Sequence, residues 1–256
     1  MHPPIVGIQT YKGREVRSPS RSRHLQPLAR PKLNRTPLGA RLQSTPPHTK
    51  QNYGYPAAMP QATLQSARLK FVPLGQEHFE VTSKLDQDAE VMRYIGFGRP
   101  LTLDEAKQVH EWLLKSATSV PGLGTWVAYV GDEPVGWWIL APTPIDKDKP
   151  TENFSSERSE FGYRLLPQFW GKGYGKEGSK ELLRHAFQDL GLNEVFGETM
   201  TVNAASRAVM AKCGLTHVDT WFNEYPTPPP GIEEGEVRYR ITKEEWKSQQ
   251  RSQSQS

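Results

Sequence analysis

The sequence predicts a mixed α/β domain in which one β-sheet carries helices on its faces. Segments of alternating apolar residues indicate strands, and segments with apolar residues at helical spacing indicate the helices between them. Two pairs of neighbouring strands are joined without a helix, and a strand–helix–strand segment lies between the pairs. Hairpins make neighbouring strands antiparallel, whereas a helical crossover makes them parallel. Both kinds of pairing should therefore occur in one sheet.

The first half of the domain is predicted to alternate short strands and helices. Its elements are a strand at 68–74, two short helices within 76–95, a helix after Thr102, and a hairpin of strands at 126–130 and 134–140. Thr102 and Glu105 have the spacing of a capping box, which begins a helix. Gly131–Glu133 are predicted to join the two strands of the hairpin. Residues 142–158 contain prolines and mixed charge and are predicted to be a loop.

The second half contains the strongest helical pattern of the chain. Its elements are a strand at 160–166, a helix at 175–190, a strand at 194–202, a short helix at 203–212, and strands at 216–222 and 237–241 around a proline-rich loop at 226–231. In the helix at 175–190, Leu182, Leu183 and Ala186 share one face. Gly191 is placed to end this helix, because glycine readily takes the left-handed conformation found there.

Residues 1–60 differ from the rest of the chain in charge and composition. They hold ten Lys or Arg residues, ten prolines and one acidic residue, Glu15, so their net charge is +9. Subtracting them from the 32 basic and 28 acidic residues of the chain leaves 22 and 27, a net charge of −5 for the remainder. Too few apolar side chains are present to offset the entropy of ordering. Residues 1–60 are therefore predicted to be a disordered basic extension.

Three interpretations of this extension stay open. Its Arg- and Ser-rich, acid-poor composition is typical of a mitochondrial targeting segment, although the prolines disfavour the amphipathic helix that such a signal forms. The charge would also suit nucleic acid or an acidic partner, and a solvated extension without a binding role explains it too. At the other end, the Ser- and Gln-rich residues 247–256 are predicted to be a disordered tail.

Composition argues against several other classes of protein. The single cysteine, Cys213, cannot form a disulfide within one chain, so nothing indicates a secreted, bridge-stabilised fold. No apolar run approaches the roughly 20 residues that span a bilayer, so no membrane partner is expected. No cluster of side chains has metal-ligand spacing, so no metal site is expected. We expect a cytoplasmic protein, with the basic extension leaving mitochondrial or nuclear targeting open.

The most informative segment is the glycine-rich turn Pro167–Lys176, which connects a predicted strand to the strongest helix. Gly171, Gly173 and Gly175 alternate there, and glycine can take positive φ and expose its backbone N–H groups to an anion. The helix N-terminus adds unpaired N–H groups and the positive end of its dipole, and two lysines of the turn add charge. A pyrophosphate is a natural ligand, although a plain strand–helix turn would use the same glycines. The spacing matches neither a P-loop nor a dinucleotide fingerprint.

Further segments spread over residues 66–246 carry a family pattern. They are Glu90–Tyr94, Phe161–Gly175, Asn203 with Ser206, Lys212–Leu215 and Tyr239–Trp246. In this order they resemble the GNAT (general N-acetyltransferase) superfamily, most closely the branch of the ribosomal-protein alanine acetyltransferases. The resemblance implies an N-acetyltransferase domain over 66–246, in which Tyr239–Trp246 is the terminal strand. It also implies a splayed, mostly antiparallel sheet of about six to seven strands flanked by about four helices.

The resemblance implies that acetyl-coenzyme A is the co-substrate and lies between the strands at 160–166 and 194–202. In the family, backbone amides of a Gln/Arg-x-x-Gly-x-Gly/Ala turn bind the pyrophosphate. Gly173 and Gly175 match the last two positions of that pattern, so Trp170 stands where Gln or Arg is usual, while a shifted register from Gln168 also fits. The cofactor-binding residues implied are Leu165, Leu166, Trp170, Gly171, Lys172, Gly173, Tyr174, Gly175, Lys176 and Asn203.

Acyl transfer to an amine needs a base for the ammonium proton, donors for the carbonyl oxygen and a proton for the departing thiolate. Glu160 is the candidate base, at a strand position where relatives often place a carboxylate, although a charged strand-end residue would look the same. Strand N–H groups around Leu165 are the candidate donors. Where many relatives have a tyrosine acid, this chain has Met210, so Ser206 or a water would have to replace it. Ser206 also fits a helix residue that bonds locally.

The favoured function is transfer of an acetyl group from acetyl-coenzyme A to a primary amine, on a protein N-terminus or a small molecule, by direct attack in a ternary complex. Met210 and Trp170 suit a second interpretation, a catalytically silent acyl-coenzyme A-binding module. The basic extension suits a third, a nucleic-acid-associated protein, which ranks last because the domain is acidic and offers no basic groove. The loops at 142–158 and 226–231 are expected to border the acceptor site.

Overall fold

A computed structural model describes residues 61–96, 98–116, 119–145, 153–225 and 227–253. The predicted disordered extension at 1–60 lies outside the described residues. The strands are β1 Leu64–Gln65, β2 Lys70–Pro73, β3 Gly124–Val130, β4 Glu133–Pro144, β5 Phe154–Leu165, β6 Glu194–Met200, β7 Thr216–Trp221 and β8 Glu236–Thr242. The helices are α1 Phe79–Asp86, α2 Ala89–Met92, α3 Leu103–Ser116, α4 Tyr174–Arg184, α5 Ala204–Lys212 and α6 Lys243–Gln253.

All eight strands belong to one open sheet with the order β1-β2-β3-β4-β5-β6-β8-β7. Every neighbouring pair is antiparallel except β5 and β6, which are parallel and are joined through α4. The predicted mixed α/β class with a mostly antiparallel sheet is confirmed. The described residues form eight strands and six α-helices, somewhat more of each than expected. No helix among these residues has the length and apolarity to cross a membrane.

The prediction of a loop over residues 142–158 is wrong for most of its described residues, which are 142–145 and 153–158. Strand β4 continues to Pro144 and β5 already begins at Phe154, and these two residues are paired. Proline has no backbone N–H to donate to a neighbouring strand, so the prolines of this segment favoured the prediction of a loop. However, β3 accompanies β4 only as far as Leu140, so Pro142 and Pro144 remove no hydrogen bond on that side of the sheet.

The C-terminal segment also differs from its prediction. The terminal strand β8 ends at Thr242, and residues 247–253, predicted to be a disordered tail, continue helix α6. A capping box begins this helix: the Glu245 carboxylate accepts from the Thr242 N–H at 2.8 Å, and the Thr242 hydroxyl oxygen accepts from the Glu245 N–H at 3.3 Å. Trp246 then packs on Phe187 with ring centroids 5.5 Å apart. Cap and packing together explain why this polar segment is helical.

The long predicted helix at 175–190 is divided in two. Helix α4 ends at Arg184, and His185–Asp189 form a π-helical turn before Gly191, whose φ is +75°. The imidazole of His185 is buried in this turn, packs edge-on against Trp126 at 5.5 Å and shares a 2.8 Å hydrogen bond with Asp189. The residues of this turn therefore still pack against the sheet. Their π-helical conformation differs from the regular helical spacing on which the prediction was based.

Both faces of the sheet are covered at its centre. Trp137 and Trp138 are consecutive in β4 and point to opposite faces, and both are buried. Trp138 packs under α4, since a Cβ at Gly178 would lie 2.5 Å from its ring. Trp137 lies 5.0 Å beneath the guanidinium of Arg164, which forms a buried ion pair with Asp86 of α1. Helices α1 and α4 thus enclose β4 and β5 from opposite sides.

Candidate active site

Strands β5 and β6 separate beyond one end of their pairing. Their parallel register begins at Arg158 and Glu194 and ends at Glu160 and Phe196. Beyond that point β5 continues to Leu165, paired only with β4. An unpaired strand edge offers N–H and C=O groups to a ligand. The structure therefore contains the splayed gap that the family resemblance implied.

Gly197 of β6 allows side chains of β5 and α5 to pack closely against it beside the gap. A Cβ at Gly197 would lie 2.7 Å from Cε1 of Phe161 and 3.0 Å from Sδ of Met210. Phe161 and Met210 are both buried. Phe161 of β5 and Met210 of α5 thus form an apolar contact beside the gap. Met210 has no proton to donate to a departing thiolate there.

The glycine-rich turn has the conformation that anion binding requires. Gly171 and Gly173 have φ values of +71° and +84°, in the left-handed region that favours glycine. Gly173 is the N-cap of α4, and its C=O accepts the helical hydrogen bond from the Glu177 N–H at 3.1 Å. The N–H groups of Tyr174, Gly175 and Lys176 come before this first helical hydrogen bond, so they have no acceptor within the helix. This helix end therefore presents donors of the kind that bind a pyrophosphate.

Trp170 attaches this turn to the end of β5. Its indole N–H donates to the Leu165 C=O at 2.8 Å, and its backbone N–H donates to the Pro167 C=O at 3.1 Å. The next backbone N–H upstream of the turn, that of Leu166, donates to the Val135 C=O at 3.0 Å. Three N–H groups of two residues assigned to cofactor binding, Leu166 and Trp170, are thus used within the protein, and the donors open to a ligand lie from Gly171 onward.

Reasoning from the sequence missed a cation at this helix end. Arg68, in the turn between β1 and β2, donates to the Lys172 C=O at 3.1 Å and lies 4.5 Å from the centre of the Tyr174 ring. It also forms an ion pair with Glu177, which accepts a further hydrogen bond from the Ser66 hydroxyl at 2.7 Å. Arg68 and Lys172 are 104 residues apart in the chain, so no local pattern could associate them.

The N-terminus of α5 carries two of the predicted site residues. The Asn203 side chain caps the helix, accepting from the Ser206 N–H at 3.2 Å and donating to the Thr199 hydroxyl at 3.1 Å. Asn203 therefore has a structural role as the cap of α5, and its contact with the coenzyme stays a prediction. The Ser206 hydroxyl, in contrast, makes no hydrogen bond to another described residue, so the predicted local bonding of that side chain is not observed.

Glu160 lies at the point where the two strands separate, and it is 7% exposed. Burial, and after it the negative charge of Glu198, raise the pKa of Glu160 well above its ordinary range, although Arg238 opposes the shift. No hydrogen bond or ion pair joins its carboxyl to another side chain in the described part of the chain. A carboxyl with a raised pKa beside a ligand gap is suited to general acid–base chemistry.

Two other kinds of site receive no support. No three His, Cys, Asp or Glu side chains of the described residues converge as metal ligands. Burial raises the pKa of the Cys213 thiol to about 11, so it stays protonated at neutral pH. Because the thiolate is the reactive form, this cysteine is a packing residue.

The geometry agrees with comparisons to known proteins. Residues 68–216, more than half of the chain, match the family described as an acetyltransferase (GNAT) domain. The chain is 63% identical over 186 residues to an FsC-acetyl coenzyme A-N(2)-transacetylase of Aspergillus fumigatus, covering 73% of this chain and 78% of that protein. The co-substrate of this chain is therefore acetyl-coenzyme A, and its reaction is N-acetylation. The alternative of a catalytically silent binding module is set aside.

Two solved structures share the fold. One is a ribosomal L7/L12 alpha-N-protein acetyltransferase in complex with coenzyme A, with a TM-score of 0.57, 16% identity, and coverage of 71% of this chain and 98% of that one. The other is a spermidine N-acetyltransferase from Vibrio cholerae in complex with coenzyme A and spermine, with a TM-score of 0.56, 16% identity, and coverage of 70% and 98%. At such identities the likeness shows the fold alone. Together with the family match and the 63% identical relative, it shows that the chain belongs to the GNAT acetyltransferase family.

Proposed function

We propose that this enzyme acetylates the N(2) amino group of a small-molecule acceptor, the same position that the name of its Aspergillus fumigatus relative specifies on FsC. The observation that carries this choice is the 63% identity over 186 residues, which extends through most of both proteins. The solved acetyltransferases that act on a ribosomal protein and on spermidine are only 16% identical and support no acceptor. A protein N-terminus is therefore the weaker candidate.

The chain's own groups fit the coenzyme. The N–H groups from Gly171 to Lys176, at a helix N-terminus beside Arg68 and Lys172, would hold its pyrophosphate. The unpaired edge of β5 up to Leu165 would hold the pantetheine. When bound, acetyl-coenzyme A supplies the acetyl group as an activated thioester.

Glu160 would act as the general base. Its carboxylate accepts a proton from the acceptor's ammonium group, so that one N–H bond breaks and one O–H bond forms. The neutral nitrogen then attacks the thioester carbonyl carbon and the carbon–sulfur bond breaks. The second proton of the nitrogen goes to the sulfur, and the Ser206 hydroxyl is the candidate carrier because Met210 cannot serve. Strand N–H groups near Leu165 would stabilise the charge on the carbonyl oxygen.

The test is a comparison of acceptors at equal concentration. FsC, a peptide with a free amino terminus and spermidine are incubated with acetyl-coenzyme A, and release of the free thiol is followed. We expect FsC to give the highest kcat/KM, by about a hundredfold, which is within the discrimination that a specific polar site achieves. Mass spectrometry of the product should place the acetyl group on N(2). A higher kcat/KM for the peptide or for spermidine would contradict the proposed acceptor.

A further inference from the structure

A groove of about 660 Å³ lies along helix α4. Its lining comes from α4, from the β1–β2 turn, from the end of α5 and from α6. The first α4 residue in the groove is Glu177, whose N–H makes the first helical hydrogen bond, to the Gly173 C=O. The groove therefore begins beside the glycine-rich turn and follows the helix to Arg184. Its size is that of a site for a small molecule.

Two lysines of the groove have no partner among the described residues. The ammonium groups of Lys180 of α4 and Lys212 of α5 form neither an ion pair nor a hydrogen bond with that part of the chain. The carboxylates in the lining are used elsewhere, since Glu177 and Glu181 pair with arginines at 2.7 and 2.8 Å. Both lysines are exposed to solvent. Their ammonium groups are therefore available to an anion.

The two lysines reach the groove from different helices. Cys213, the residue after Lys212, donates from its thiol to the Lys176 C=O at 3.6 Å, so the end of α5 lies against the first turns of α4. Burial raises the pKa of this thiol, and the charges of Lys180 and Lys176 oppose the shift. Because solvent screens charges over longer distances, both ammonium groups lie near Cys213. Helices α4 and α5 thus bring Lys180 and Lys212 to the same groove.

Acetyl-coenzyme A carries a phosphate for which the glycine-rich turn has no assigned donors. Its pyrophosphate would use the N–H groups up to Lys176. A separate phosphate monoester is attached to the ribose of the adenosine. This group carries a charge of about −1.5 to −2 at neutral pH and accepts hydrogen bonds, which ammonium groups donate. Lys180 follows Lys176 by one helical turn, about 6 Å along the axis, so one nucleotide can reach both positions.

We propose that Lys180 and Lys212 bind the ribose phosphate of acetyl-coenzyme A and that the groove holds its adenosine. The inference rests on the part of the proposed function that places the pyrophosphate at the start of α4, and it is independent of the acceptor and of the general base. The rest of the lining fits a purine. Ala211 and Trp246 supply apolar surface for the ring, and the side-chain amide of Gln188 can bond its polar edge. The lysines then make the enzyme prefer the coenzyme that carries this phosphate.

The test compares coenzyme A with dephospho-coenzyme A, which lacks only the ribose phosphate. Both are titrated by calorimetry into the full chain and into Lys180→Gln, Lys212→Gln and the double variant, without an acceptor. Wild type should bind coenzyme A about tenfold more tightly, the contribution of charged hydrogen bonds. Each single variant should lose about threefold in affinity for coenzyme A, and the double variant should bind the two ligands equally. Affinity for dephospho-coenzyme A should not change.

Lys247→Gln is the matched control, because Lys247 is an exposed lysine of α6 outside the groove. It should keep the wild-type preference for coenzyme A. Gly173→Asp should weaken the binding of both ligands by the same factor, since both contain the pyrophosphate. A wrong placement of the pyrophosphate would therefore show in Gly173→Asp, whereas a wrong assignment of the lysines shows in the ratio of the two affinities.

Several outcomes would overturn the lysine site. Equal affinities of wild type for the two ligands would do so. A loss in the lysine variants that is the same for both ligands would place the lysines at the pyrophosphate or in the stability of the fold instead. A preference that the double variant keeps in full would assign the ribose phosphate to other cations, such as Arg68.

Discussion

Glu160 and Phe196 are the last residues at which β5 and β6 are paired. This pair marks the point where the sheet opens and also where a buried carboxyl lies beside the opening. The strand that carries Glu160 leads on to the glycine-rich turn at the start of α4. One strand thus connects the groups proposed for proton transfer and for binding the coenzyme.

Replacement of Gly173 should weaken acetyl-coenzyme A binding. Gly173→Asp places a side chain at φ +84° and a negative charge at the end of α4 where the pyrophosphate would bind. The matched control is Gly131→Asp in the β3–β4 turn, where φ is +59° and no atom lies within 4 Å of the added Cβ. Both should lose about 1–2 kcal/mol of stability from backbone strain. In calorimetry only Gly173→Asp should lose about tenfold or more in affinity, and equal affinities would contradict the site.

Removing the Glu160 carboxylate should separate activity from stability. Because burial raises the pKa of Glu160 above its ordinary 4.5, the folded protein binds this proton more tightly than the unfolded chain does. Stability therefore falls as the pH rises above about 4.5, and Glu160→Gln removes that loss. In urea titrations the variant should gain relative to wild type between about pH 5 and pH 8, while kcat falls about a hundredfold or more.

Glu157→Gln is the control for this experiment, since Glu157 is an exposed residue of the same strand. It should show neither the pH-dependent gain nor the loss of kcat. If Glu160→Gln kept the wild-type kcat across that pH range, Glu160 would not be the base.

Ser206→Ala tests the hydroxyl without disturbing the helix. The Asn203 side chain bonds the backbone N–H of Ser206, and alanine keeps that group. We expect stability within about 0.5 kcal/mol of wild type and a kcat about tenfold lower. Asn203→Ala, by contrast, should cost about 1 kcal/mol through loss of the cap. A wild-type kcat in Ser206→Ala would remove this residue from the mechanism.

A methyl group at Gly178 should destabilise the protein although the residue is helical. In a helix interior, glycine to alanine usually adds about 1 kcal/mol of stability. Here the new Cβ would lie 2.5 Å from the Trp138 ring, and such overpacking typically costs about 1–3 kcal/mol. The same methyl should cost less in a Trp138→Phe background. An increase in the urea midpoint of Gly178→Ala would refute the tight packing of α4 on β4.

Breaking the ion pair between Asp86 and Arg164 should be the most destabilising of these changes. Their side chains are 1% and 2% exposed, so Asp86→Ala leaves a buried guanidinium without its acid. We expect a loss of about 3–5 kcal/mol, and a smaller loss when Arg164→Met is added. Glu80→Ala, which breaks an exposed pair with Lys84, should cause no measurable change. Similar losses for Asp86→Ala with and without Arg164→Met would contradict a charge-based explanation.

Local signals predicted most elements of the fold. The capping box of Thr102 and Glu105 begins α3 as expected, with the Thr102 N–H bonded to the Glu105 carboxylate at 2.7 Å. The same signal at Thr242 and Glu245 was not used to predict a helix, because the family resemblance assigned Tyr239–Trp246 to the terminal strand. The prolines at the end of β4 suggested a loop. A proline costs a sheet hydrogen bond only where a neighbouring strand would pair with its backbone nitrogen, and the neighbouring strands are known only from the fold. The cytoplasmic location and the roles of the basic extension stay predictions.

The sequence by itself determined the mixed α/β class, the glycine turn and the candidacy of Glu160, because these depend on residues close together in the chain. Only the tertiary structure decided what surrounds them. Arg68 reaches the turn from 104 residues away, and Glu198 and Glu236 join Glu160 through the strand order β5-β6-β8. Pairing between distant strands decides which carboxyls meet, and burial in the assembled sheet decides how tightly they hold a proton.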